Sequence, residues 1–263
     1  VNLAKERPDY YNVEEFGVPI NDLDAIGTIG TFSATLIWLG FPRQGIFLRE
    51  EEIKDYIALW RLVAWYIGTP QEYFETPEKA KAIIDSILLY EVNPSEVSKV
   101  LANNIILSLQ GQAPAYASRD FLNANARWLN GNDLGDDLGL GRPSLYYWAL
   151  VAGQCMLFMA ISYTYRSFDY LDKRKIAALR RLFYKVIIDK EKGGLGEETN
   201  FDFKYIPDFH TTTDLGEYKK TGLKQQGIER RNLATLCAAG AMLGIMSYVG
   251  IQTSLKISSV LLK

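Results

Sequence analysis

One histidine, His210, is the whole imidazole supply of this chain. A multi-histidine metal centre is therefore excluded, and so is a histidine-paired nucleophile with spare histidines. A lone histidine can ligate a haem iron, but this one stands in a long loop without helical support, where a surface role is the ordinary one. Among the carboxylates, Asp136-Asp137 could hold a divalent ion, although glycine-rich loops also collect aspartates for turn geometry. Glu50-Glu51-Glu52 falls in the first turn of a helix, where it complements the dipole rather than performing acid–base chemistry. Cys155 and Cys237 each sit inside an apolar run and read as core thiols of a reducing compartment, not as a disulfide framework. No phosphate-cradling G-x-x-x-x-G-K-[ST] occurs, and "GDDLGLGR" has no strand leading into it, so it fails the dinucleotide fingerprint. No metal ligand set is expected.

The elements that must position these residues are helical. Ile53, Tyr56, Ile57, Trp60, Val63, Ala64 and Ile67 recur at helical spacing, and Gly68 with Pro70 ends that helix. Asn21 followed by Asp24 starts an earlier one. Thr76-Pro77-Glu78 and Asn93-Pro94-Ser95-Glu96 start two more, the second running to about Gln110. Further helices are expected over 117–129, 144–166, 173–189 and from about 223 past 248. "NGNDLGDDLGLGRPS" reads as a glycine-rich loop, and the segment from Gly193 to Gly222 as a loop long enough to be a lid or binding segment. No alternating strand pattern or internal repeat is visible. The expectation is an all-α fold, one helical domain of about eight helices over 1–263.

With 263 residues, 23% charged and 48% hydrophobic, the chain is ordinary globular material. A formal net charge of −2 leaves no basic excess for nucleic acid. Three uncharged runs are long enough to raise the question of a membrane: 25–42, 143–165 and 232–255. The first two read as core helices. The third carries Gly240 and Gly244 at small-xxx-small spacing after a basic flank that includes Arg230 and Arg231, and is either a membrane-associated or a core helix. The segment 173–190 sets Ile176, Leu179, Leu182, Phe183, Val186 and Ile187 against Lys173, Arg174, Arg180, Arg181 and Lys185. That pattern fits a membrane-surface helix or a solvated face.

Two linked motifs carry a family resemblance. "GVPIN" with Asp24, Gly27, Thr28, Phe32 and Ser33 is followed by Gly45, Ile46, Leu48, Glu51, Tyr56, Leu59, Trp60, Arg61, Gly68 and Pro70. This resembles the catalytic domain of the ER-bound oxygenases and rubber oxygenases (latex-clearing proteins), firmly over 17–70 and by helix order beyond, and more the fungal branch than the secreted bacterial one. The resemblance implies a haem-oxygenase-like helical bundle around one haem b. It implies oxidative chemistry on a hydrophobic substrate, such as cleavage of an isoprenoid-type C=C bond in secondary metabolism. It also implies membrane association at the endoplasmic reticulum, with a cytoplasmic location as the alternative. By the same resemblance Thr28 and Phe32 line the cofactor pocket.

In the family, the haem histidine lies upstream of the "GVPIN" turn. None of the sixteen residues before Gly17 is a histidine, so no haem ligand is carried over, and the expectation is a domain whose N-terminal ligand segment is missing. The rival expectations are a non-catalytic helical membrane protein or complex subunit that keeps the fold without haem, and a soluble helical lipid binder.

Overall fold

The computed structural model describes residues 6, 11–112, 115–189, 215–216 and 227–261, with only the backbone of 186 and 255–261. The described residues are helical and include no strand. The helices are α1 (Asp22–Phe32), α2 (Glu50–Ile67), α3 (Pro77–Tyr90), α4 (Glu96–Leu109), α5 (Arg119–Asn130), α6 (Asn132–Asp137), α7 (Leu145–Ser167), α8 (Asp169–Ile187) and α9 (Gly227–Leu261). Eight of them run eleven residues or more, as the all-α reading expects. His210 and most of the segment 193–222 lie outside the described residues.

Local chemistry places the ends. The Asn21 side chain accepts from the Asp24 N–H at 2.9 Å, and Thr76 and Ser95 cap α3 and α4 in the same way. Gly68 closes α2 in the left-handed region, φ 78°, where a side chain would be strained. One element departs from expectation. The glycine-rich stretch contains helix α6, because Arg127 reaches across and binds the carbonyls around it.

The chain divides into two compact units, Val1–Leu157 with Thr213–Lys263, and Phe158–Thr212. The first unit holds two apolar clusters. One gathers Ile26, Ile29 and Ile37 with Ile57, Phe74 and Ile84. Here the small residues of α1 allow close approach: a methyl at Gly30 would sit 2.8 Å from Ile84 Cδ1, and one at Gly27 would touch Ile87. The neighbour that uses this face is therefore helix α3. The other cluster packs Phe121 and Ala124 of α5 against Leu150, Val151 and Cys155 of α7.

Helix α9 has two parts. Its first turns belong to the packed interior: Glu229 accepts the Ser118 N–H at 2.8 Å, Asn232 is fully buried, and Gly153 of α7 lies against the Asn232 carbonyl. From Gly240 to Ser254 every residue is exposed, including Met242, Leu243, Ile245, Met246, Val249 and Ile251. In the second unit, no residue of α8 whose side chain is described is buried.

Among the described residues, three helical stretches are long and apolar enough to cross a membrane: 22–43, 145–167 and 227–254. A third of the first apolar window is buried and 28% of the second, but none of the last. Ile26 and Ile29 in the first and Leu150 to Val151 in the second are core residues. The run at the end of the chain has no such partner among the described residues.

Candidate functional site

The first wall of the site is built by the continuation of α1. Ser33 interrupts the helix; its hydroxyl donates back to the Ile29 carbonyl at 2.7 Å, a local bond that bends helices. Residues Leu36–Gly40 then form a π turn, with the Phe41 N–H donating to the Leu36 carbonyl. Pro42 supplies the reason. It has no N–H to give the preceding turn, and its ring crowds a tight helix, so the wider turn relieves both.

The bend and the wide turn present Thr31, Thr35, Leu36, Leu39, Gly40 and Arg43 along one side of a cavity of about 600 Å³. Leu88 of α3 with Val92 and Pro94 forms a second wall, and Leu129, Asn130, Leu134 and Asp137 of α5 and α6 a third. The volume lies in the range of small-molecule sites. A reciprocal clasp holds the first wall to the third. The Arg43 guanidinium donates to the Leu129 carbonyl, and the Trp128 indole N–H donates to the Arg43 carbonyl at 2.7 Å.

The polar groups of the cavity are few and unequal. Thr31 is satisfied, its hydroxyl donating to the Gly27 carbonyl at 2.9 Å. Thr35 Oγ1 is buried without a hydrogen-bond partner, at a cost of about 1–3 kcal/mol for such a group.

Beside this cavity, the α5–α6 corner is locked by charge. Arg127, 2% exposed, donates to the carbonyls of Gly141, Asn132 and Leu140 and to Asp136 Oδ1 at 2.8 Å. Arg142 binds the same carboxylate. Hydrogen bonds from Arg142 and then Arg127 hold the Asp136 carboxyl down at about 2. Asp136 is thus an anchor for two guanidinium groups, and no cluster of three metal-ligating side chains occurs among the described residues.

Thr28 and Phe32, expected from the resemblance to line a pocket, do not line this cavity. Thr28 is exposed and donates to the Asp24 carbonyl at 2.8 Å. Phe32 stacks on Trp60, ring centroids 5.7 Å apart and 14° between planes, while Tyr56 donates to its carbonyl. The threonines that reach the cavity are Thr31 and Thr35, on the same helical face one and two turns further on.

A haem needs an axial ligand, and the donor set does not supply one here. The lining contains no histidine, cysteine, methionine or tyrosine, and His210 lies outside the described residues. These residues therefore do not fit haem b by themselves.

A largely apolar cavity on an all-helical scaffold is the physical frame in which the family enters. The model of the ER-bound oxygenase mpaB/B'/Rubber oxygenase catalytic domain matches residues 5–160, more than half of the chain, and the chain belongs to that family. Every cavity-lining residue lies inside the matched segment. A curated relative is the Rubber oxygenase of Streptomyces sp. (strain K30), 22% identical over 130 residues, which cover 48% of this chain and 30% of that protein. The match thus spans less than a third of the relative's length. No solved structure matches the chain significantly.

Proposed function

We propose that this chain is the helical body of an oxygenase that receives a hydrophobic substrate from a membrane, the whole chain serving as one functional domain. The cavity walled by α1, α3, α5 and α6 carries this reading: it is apolar, lies within the family-matched segment, and holds the unpartnered Thr35 hydroxyl. Leu36, Leu39, Leu88 and Leu134 would exclude water around a hydrocarbon chain, while Thr35 and Arg43 would take its polar end. An isoprenoid with C=C bonds is the substrate class, by analogy with the rubber oxygenase. The family name supports residence at the endoplasmic reticulum.

Helix α9 supports the membrane part of the reading. Cys237 to Leu255 is uncharged and about 28 Å long at helical rise, close to the thickness of a bilayer's hydrocarbon core. Arg230 and Arg231 stand just before it, where basic residues favour the cytoplasmic side.

Haem b is the cofactor the resemblance implies, and oxygen activation is the chemistry it supplies when bound. Because the cavity brings no axial ligand, the iron would be held by a residue of this chain outside the described ones. The same shortage of donors favours the second reading, a subunit that keeps the fold without catalysis.

The experiment is an absorption spectrum of the purified chain in detergent, followed by incubation with squalene and product analysis. A haem Soret band with oxygen-dependent carbonyl products supports the oxygenase. Folded protein with neither supports the non-catalytic subunit and overturns the first reading.

A further inference from the structure

Helix α8 belongs to the second unit and shares no residue with the cavity. Its nineteen residues separate cleanly by chemistry. At roughly 100° per residue, Leu171, Ile176, Leu179, Leu182, Phe183 and Ile187 fall on one half of the helix, and Lys173, Arg174, Arg180, Arg181 and Lys185 on the other. Lys175 and Asp172 interrupt the apolar half, but they neutralise each other in an ion pair of 2.6 Å.

Lys175 Nζ stands 5.4 Å from the Tyr165 ring centroid, but most of the helix is exposed. Leu182, Phe183, Tyr184 and Ile187 are each at least half exposed, and the last three help border an open apolar trough of about 470 Å³. Among the described residues no ion pair engages Lys173, Arg180, Arg181 or Lys185. Arg174 meets the Tyr170 hydroxyl at 3.3 Å. Apart from paired Asp172, the helix offers a single acid, Asp169 in its first turn.

Water is a poor neighbour for the apolar half, and a nucleic acid would use the basic half alone. A surface that is both greasy and anionic satisfies the two halves at once. We propose that α8 lies in the headgroup layer of an anionic membrane, its Ile176–Leu179–Phe183–Ile187 face toward the acyl chains. The stems of Lys173 and Arg180 flank that face and can carry their charges up to lipid phosphates. The contact stands whether or not the chain performs oxygenase chemistry.

The test is amide hydrogen exchange on the full chain in nanodiscs of phosphatidylcholine or of mixed phosphatidylcholine and phosphatidylserine. Exchange over 173–187 should slow by roughly tenfold or more in the anionic discs, each basic residue near such a surface contributing binding energy. Added salt should reverse the slowing, and R180E/R181E/K185E, or the milder R180Q/R181Q/K185Q, should abolish it. Phe183→Ser should weaken it in both lipids. Helix α9 alone holding the chain in the disc would leave α8 exchanging equally in the two lipids, and that result overturns the proposal. So does slowing that appears in detergent as protein concentration rises, which would place a second copy of the chain on this face.

Discussion

Replacing Arg127 by methionine should damage this protein more than any change at the neighbouring Arg142, although both bind Asp136. Arg127 is 2% exposed and donates to three backbone carbonyls as well as the carboxylate. Methionine keeps most of the stem but leaves those acceptors empty, among them the carbonyl of Leu140, itself a buried residue. Removing one member of such a buried, hydrogen-bonded set costs about 3–5 kcal/mol. For a chain of this size that is a fall in Tm of about 10 °C. Arg142 is 76% exposed, so its pair with Asp136 is screened, and Arg142→Met should melt within error of the parent. Thermal unfolding followed by circular dichroism in one detergent compares the three proteins. The cavity adds a second readout, because Leu134 and Asp137 belong to the corner that Arg127 ties down. Arg127→Met should therefore lose squalene retention even below its melting range. Equal melting of the two variants would refute the assignment of Arg127 as the lock of this corner.

Three further outcomes follow from the same geometry. A methyl at Gly153 would collide with the backbone carbonyl of Asn232, which cannot swing aside, so Gly153→Ala should cost about 1–3 kcal/mol, whereas Gly240→Ala, with nothing within 4 Å, should be silent in detergent melting. Thr35→Val removes an unpartnered hydroxyl and should leave stability equal or higher by about 1 kcal/mol, while weakening ligands with a polar end; a lower Tm would show that the hydroxyl is satisfied. Asp136 titrates at about 2 in the folded protein, below its ordinary value, so its contribution is full above pH 4 and is lost as pH falls toward 2. The Tm difference between the parent and Asp136→Asn should stay flat from pH 7 to 5 and shrink only below about 4.

Much of the helical frame was legible because its signals are local. Asn21, Thr76, Ser95 and Gly68 end their helices through bonds to residues a turn away, and the α2 periodicity depends on one face only. The site was less legible. Its walls come from residues near 35, 90 and 130, and no local spacing announces that these meet. The cavity begins a turn beyond Thr28, so the threonines on its wall are Thr31 and Thr35. Helix α6 hid in a glycine-rich stretch because the group that organises it, Arg127, belongs to the preceding helix. The ambiguous uncharged run at the end of the chain required coordinates: its first turns are packed and its remainder is bare.

The central claim is that the space bounded by Thr35, Leu88 and Leu134 receives a hydrophobic chain. A diazirine-bearing polyprenol, photolysed with the full chain in nanodiscs and mapped by peptide mass spectrometry, tests it most directly. Labels should fall within 31–43, 88–94 and 129–137, compete with squalene, and vanish in Leu134→Trp. Labels confined to α9, unchanged by squalene or by Leu134→Trp, would contradict the claim.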